Sequence, residues 1–293
     1  MIDRGEVLNK LKLALSWVGG ALSIIGVLFV VIRLVGYIDK LDLSWIQPID
    51  WFAFLVLAIL YAIINVALVL AWYQILVFLR APLGLYQAAY VYGMSQLAKY
   101  VPGNIFHLAS RQALGVAAGV PGWALAKSSV WEIGLIAFVG ALFGLLALPL
   151  WWQSFPTFLA LMLFVMVLLV VVLAIRRWLD LSLALALGWH VLFLVMSGLI
   201  FMGVLVIISP SFMTIDIVIK LVGAYVIAWL VGLITPGAPA GVGVREIVLL
   251  FLLKGVVVEV DLLLAVALGR VMTVMGDLIF FFATVFLGKK GDL

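Results

Sequence analysis

Six long apolar runs set the terms for this chain: 13–35, 51–79, 122–148, 157–175, 182–208 and 262–287. A helix needs about 20 mostly apolar residues to cross a hydrocarbon core about 30 Å thick. Backbone polar groups in lipid must be satisfied internally, and runs of this length do so as helices. The sequence therefore predicts an all-α polytopic membrane protein. Only short loops separate most of the runs, so residues 1–293 read as a single transmembrane domain. Charged residues make up 10% of the chain, against about 25% in soluble domains. That excludes a water-soluble enzyme, a disordered chain and a nucleic-acid binder. The net charge of +4 describes charges beside lipid rather than a polyanion partner. With no cysteine, disulfides, thiolate metal sites and thiol nucleophiles are excluded together.

Arg4, Lys10 and Lys12 precede the first run, as in a signal peptide. The run is too long for a signal-peptide core and lacks a small-residue cleavage site, so it reads as a retained anchor.

Two stretches, 83–119 and 217–255, are not clean spans. The first contains Lys99-Tyr100-Val101-Pro102-Gly103-Asn104, then Arg111. The second contains Thr235-Pro236-Gly237, then Gly241-Val242-Gly243-Val244-Arg245-Glu246. Each is an apolar helix, a Pro-Gly break and a second helix carrying an arginine. Proline removes a backbone donor and ends the helix. Broken backbone at membrane depth survives where it is buried in protein or lines a wet cavity. Both stretches read as helical hairpins, either re-entrant or built from two broken spans. Pro102, Gly103, Pro236 and Gly237 supply the breaks and a candidate hinge, and Gly241 and Gly243 allow close backbone packing.

The two stretches match. Pro102 precedes Arg111 by nine residues, and Pro236 precedes Arg245 by nine. Ala89-Tyr90-Val91 lies ahead of the first break much as Ala224-Tyr225-Val226 lies ahead of the second. The surrounding layout also repeats: two spans, a broken hairpin, one span. This predicts two repeats, 1–150 and 151–293. Each crosses the membrane an odd number of times, so the second is inverted relative to the first. With the N-terminus inside, the cytoplasmic side collects Arg4, Lys10, Lys12, Arg80, Arg176, Arg177, Lys289 and Lys290. The outer side collects only Arg33, Lys40, Lys220 and Lys254. The positive-inside rule then puts both termini in the cytoplasm, in a cell inner membrane. Opposed hairpins meeting near the midplane are a transporter-like arrangement.

Eight charges remain inside the predicted spans and hairpins: Lys99, Arg111, Lys127, Glu132, Arg245, Glu246, Arg270 and Asp277. A charge at the bilayer centre costs about 2.5–3.5 kcal/mol even on lenient scales, so these face inward, pair or meet water. Five cations against three acids leave two positive charges over, which suits an anionic headgroup. Arginine's planar fork can hold two phosphate oxygens at once. Arg111 and Arg245 are the expected phosphate ligands, with Lys99, Asn104, Lys127 and Arg270 assisting. Glu132, Glu246 and Asp277 either hold those cations or carry protons. The third span of each half repeats a cation-then-acid order, Lys127 with Glu132 and Arg270 with Asp277, the latter seven apart on one face. Plainer readings stand beside these: Arg111 snorkelling to the headgroup zone, and the acids as structural ion-pair partners. Helix starts after Pro102 and Pro236 could bind an anion through backbone N–H groups, or be kinks satisfied by neighbouring backbone. His107 and His190 read as packing or hydrogen-bonding residues rather than metal ligands. Tryptophans such as Trp45, Trp51, Trp151 and Trp152 read as interfacial belts.

Enzyme signatures are absent: no zinc-protease, serine-hydrolase or phosphate-loop motif occurs. No enzyme activity, cofactor or metal site is expected, nor ATP-driven transport by this chain alone.

At the Pro102 and Pro236 motifs the chain resembles the transmembrane region of lysylphosphatidylglycerol synthases, the flippase-like domain family. The resemblance covers nearly the whole chain. It implies movement of a lipid headgroup between leaflets, with the chain similar to stand-alone members that lack the cytosolic transferase. The expected substrates are an anionic phospholipid, an aminoacyl-phospholipid or a polyprenyl-phosphate-linked glycolipid. The rival is a non-catalytic membrane subunit docking a glycosyltransferase or lipid-modifying enzyme.

Overall fold

A computed structural model describes residues 47–288, apart from 82, 102–104, 211–213, 236–240 and 242, together with residues 10, 14 and 17. Pro102, Gly103, Asn104, Pro236 and Gly237 lie outside the described residues, as does nearly all of the run 13–35.

Ten helices follow in order: α1 (Pro48–Phe78), α2 (Leu85–Gln96), α3 (Phe106–Ala117), α4 (Gly122–Leu142), α5 (Gly144–Trp151), α6 (Thr157–Trp178), α7 (Leu181–Ile208), α8 (Ile215–Ile234), α9 (Val244–Leu252) and α10 (Glu259–Gly288). A 3-10 turn, Leu97–Tyr100, extends α2. No strand occurs among the described residues. Six helical stretches are long and apolar enough to cross a membrane, so this is a multi-pass membrane protein. Local chemistry sets several starts. Pro48 opens α1 behind a Gln47–Asp50 capping box. The Asp180 carboxylate accepts from Ser182 N–H at 2.7 Å to start α7. Thr214 caps α8 in the same way.

One arm of the second broken stretch reaches spanning length. Ile215–Ile234, expected as the first arm of a broken hairpin, is a 20-residue helix of spanning length. Its nine-residue neighbour α9 is about 14 Å long, too short to cross alone. In the first half, α2 and α3 have 12 residues each, about 18 Å. The two matched motifs are therefore set in arms of unequal length.

The core centres on α1 and α7, which make the most extensive helix pair. Among the described residues, several helix contacts of 48–142 recur in the same order within 181–288. Contacts α1–α2, α2–α3, α3–α4 and α1–α4 have counterparts in α7–α8, α8–α9, α9–α10 and α7–α10. Likewise α1–α10 and α2–α10 correspond to α7–α4 and to α8 against α4 and α5. Close approach makes one glycine obligatory here: a Cβ at Gly223 on α8 would lie 2.8 Å from the Ala147 nitrogen on α5. By contrast, α6 fully buries only Thr157, Ala160 and Phe164, and many of its apolar side chains are exposed.

Candidate functional site

A polar cavity of about 120 Å³ lies among α1–α4 and α7–α10, room for several water molecules or one small anion. Larger hollows along α6 and between α1, α2 and α10 are lined by apolar side chains, as lipid-facing grooves are. The polar cavity is the chemically distinctive one.

Five of the sequence-predicted residues line it: Lys99, Arg111, Glu132, Arg245 and Arg270. Arg111, on the buried face of α3, is 2% exposed. Its Nη1 donates to Glu132 Oε2 in a short ion pair, and its Nε donates to Ser95 Oγ at 3.3 Å. The guanidinium lies over the Tyr92 ring at 3.7 Å, while the Tyr92 hydroxyl donates to Glu132 Oε1 at 2.8 Å. Cation, carboxylate and ring thus fix one another.

Lys99 reaches across to the other half, its Nζ 2.8 Å from Asp277 Oδ2. Asp277 is fully buried and also accepts from Tyr100 Oη at 2.5 Å and Asn65 Nδ2 at 3.2 Å. Gln96 Nε2 donates in turn to Asn65 Oδ1 at 3.3 Å. Arg270 donates through Nε and Nη2 to a single oxygen, Glu246 Oε1, at 3.3 and 3.2 Å. Glu246 Oε2 is buried without a partner. Arg270 and Asp277, on one face of α10, take partners from other elements: α9 for Arg270, and α1 and the turn after α2 for Asp277.

Arg245 is different. It sits in the first turn of α9, behind Gly243 at φ +84° and Gly241 at φ +72°, values that favour glycine. A Cβ on Gly232 would meet Arg245 Cγ at 2.9 Å and Gly241 Cα at 3.0 Å. The backbone of α8 and the approach to α9 therefore touch, with the arginine stem laid against them. Its guanidinium carbon is 5.8 Å from the Trp229 ring centroid. No carboxylate pairs with it among the described residues, and its Nε is buried without a partner. Equal nine-residue spacings from the prolines do not give equal settings: Arg111 is in the second turn of its helix, Arg245 in the first.

Lys127 is not part of this assembly. It is exposed on α4, with Nζ 5.1 Å from the Trp123 ring. Without it, four cations meet three carboxylates and one positive charge is left over, at Arg245. His107 also lines the cavity, with Nδ1 buried and unpartnered. No cluster suited to a metal ion occurs among the described residues.

A second, smaller cavity of about 20 Å³ lies behind the first, enough for about one water. Leu249, Tyr225 and Met272 line it, and it shares Arg245, Arg270 and Thr273 with the larger cavity. Those three side chains are the wall between the two.

Tyr92, Ser95, Gln96, Asn65 and Tyr100 were not among the residues picked from sequence. A signal for four of them exists: Tyr92, Ser95, Gln96 and Lys99–Tyr100 recur at helical spacing and form one polar face. Asn65 is a lone polar residue within a long apolar run.

No family model, curated protein or solved structure matches this chain.

Proposed function

We propose that this chain is a lipid transporter of flippase-like type, carrying a phosphate-bearing headgroup between leaflets while the tail stays in hydrocarbon. One observation carries the reading: Arg245, inside the bundle, pairs with no carboxylate among the described residues, and its bare Nε belongs to a side chain lining the polar cavity. An uncompensated charge in hydrocarbon is costly. An anionic ligand offsets that cost, and the guanidinium fork suits phosphate. Lys99, Arg111 and Arg270 are already positioned by Asp277, Glu132 and Glu246, so they add positive potential without having to be ordered on binding.

In this proposal the chain consists of two inverted repeats, 1–150 and 151–293, and the recurring helix contacts support it. On this reading Pro102, Gly103, Pro236 and Gly237 supply the broken backbone of the hairpins and the hinge for alternating access. Both termini face the cytoplasm in a cell inner membrane. The resemblance to the lysylphosphatidylglycerol synthase transmembrane region points to the same class. A subunit that only docks another enzyme has no use for a buried, unpaired arginine, which favours transport over that rival.

Reconstitution into vesicles with tail-labelled lipids tests the proposal. The protein is expected to speed inward and outward movement of phosphatidylglycerol over protein-free vesicles, and Arg245→Gln to remove most of that acceleration. If the parent protein moves no phosphate lipid faster than bare vesicles, the proposal fails.

A further inference from the structure

The cavity's charge arrangement also bears on what else the headgroup can contain. We infer that the site takes a phosphodiester with one net negative charge and an uncharged, hydroxylated remainder, and rejects headgroups that bear an ammonium. This rests on the transport reading above and narrows it.

An ammonium needs either a free carboxylate or an open aromatic face. Among the described residues, neither is free at the cavity wall. Glu132, the carboxylate that lines the cavity, has both oxygens occupied, one by Arg111 and one by Tyr92. Asp277 is fully buried behind Lys99, with one oxygen on Lys99 and Tyr100 and the other on Asn65. Glu246 keeps one unpartnered oxygen, but it is buried, and its side chain lies outside the cavity lining. Of the five aromatic rings at the wall, three already carry one of the protein's own cations, and the other two, Tyr61 and Phe193, pack on each other with centroids 6.3 Å apart. Arg111 lies 3.7 Å from the Tyr92 centroid, Lys99 lies 5.4 Å from Tyr100, and Arg245 lies 5.8 Å from Trp229. The protein's own cations hold the positions a ligand ammonium would take. With four cations against three carboxylates, the site keeps one net positive charge, which repels a further cation.

What remains available is complementary to an anion. Arg245 Nε is a buried donor with no acceptor, and its charge is the single one left over. One unpaired cation balances one phosphodiester charge. The remaining wall, including Phe193, Leu108 and Ile136, is uncharged. It leaves uncharged surroundings for the hydroxyls next to the phosphate, the rest of the headgroup lying outside a cavity of this size. An aminoacyl-phospholipid is thereby rejected by repulsion rather than by size, which is selection through an unfavourable contact.

The test compares tail-labelled lipids of identical acyl chains in vesicles containing the full-length protein. Phosphatidylglycerol carries one negative charge and hydroxyls, phosphatidylethanolamine adds an ammonium, and lysylphosphatidylglycerol adds two. Protein-dependent movement of phosphatidylglycerol is expected to be at least roughly tenfold faster than that of either ammonium lipid. Millimolar inorganic phosphate should leave that rate unchanged, because the site recognises the headgroup in its lipid setting. Equal rates for the three lipids would overturn the inference while leaving transport intact. Movement of none of them would remove both. Complete block by inorganic phosphate would reassign the cavity to a free anion and overturn the lipid specificity.

Discussion

Lys99 and Asp277, from opposite halves of the chain, form an ion pair of 2.8 Å in which the carboxylate is fully buried. The contact ties the 3-10 turn after α2 to the middle of α10, and Tyr100 and Asn65 complete the carboxylate's shell. Removing one partner of such a pair leaves a buried charge without compensation, typically at a cost of about 3–5 kcal/mol. Asp277→Asn and Lys99→Met should each destabilise the protein on that scale. The double variant should recover much of the loss, since both charges are then gone. Unfolding in a neutral detergent measures this as a double-mutant cycle. Strictly additive losses would mean that the two charges do not interact.

Arg111 and Arg245 match in sequence but should behave differently when replaced. Arg111 is buried with Glu132, Ser95 and Tyr92 as partners, so Arg111→Ala orphans a carboxylate and should cost about 3–5 kcal/mol. Arg245 leaves no partner behind, so Arg245→Gln should change stability by less than about 1 kcal/mol while abolishing transport per folded molecule. Stability and lipid movement must be measured on the same preparations. Equal stability losses for the two variants would contradict the assignment.

The contrast between these arginines also marks what the sequence could reveal. The apolar runs, the motif spacing and the list of intramembrane charges were all legible, because lipid tolerates so few exceptions to apolarity. Partner choice was not. Asp277 lies on the same helix face as Arg270, but that spacing does not say which cation it meets. Its actual partners come from α1 and the turn after α2 through packing across the halves. Lys127 looked equivalent to the other cations until the rotation of α4 placed it outward. The length of α8 was masked by the break that follows it. Tyr92 and Tyr100 passed as ordinary aromatic residues because their roles depend on which charge each ring and hydroxyl meets.

Gly232 offers a way to move Arg245 without removing it. In Gly232→Ala the new methyl would lie 2.9 Å from Arg245 Cγ and 3.0 Å from Gly241 Cα. One of these neighbours must shift, at a cost of about 1–3 kcal/mol. Transport should fall further than stability, because the guanidinium is displaced from the cavity. Gly134→Ala, where an added Cβ meets nothing within 4 Å, is the control and should be neutral. If Gly232→Ala keeps the parent transport rate, the position of Arg245 is not critical.

Orientation can be read chemically because the chain has no cysteine. A single cysteine at Lys254, exposed in the turn between α9 and α10, should react with an impermeant maleimide in intact cells. One at Arg177, exposed at the end of α6, should react only after permeabilisation. The reverse pattern would invert the topology, and with it the leaflet to which each hairpin opens.

The Arg270–Glu246 ion pair is part of the wall between the two cavities, which makes its opening measurable. Arg270 directs two N–H groups to Glu246 Oε1, and Arg270, Arg245 and Thr273 face both cavities. Glu246→Gln keeps the shape of the acceptor but removes its charge, leaving Arg270 with a weaker hydrogen bond and repulsion from Arg245. Arg270 should then swing away and join the smaller cavity to the larger. A cysteine at Leu249, which is 2% exposed and lines only the smaller cavity, reports that event. In the otherwise unchanged protein it should resist a small charged methanethiosulfonate reagent. Together with Glu246→Gln it should react faster by roughly tenfold, the factor that about 1.4 kcal/mol of wall stability represents. The Arg270→Lys variant should give an intermediate rate, because an ammonium retains attraction to Glu246 but lacks the fork. If Leu249→Cys reacts equally with and without the Glu246 charge, the ion pair is not what separates the cavities.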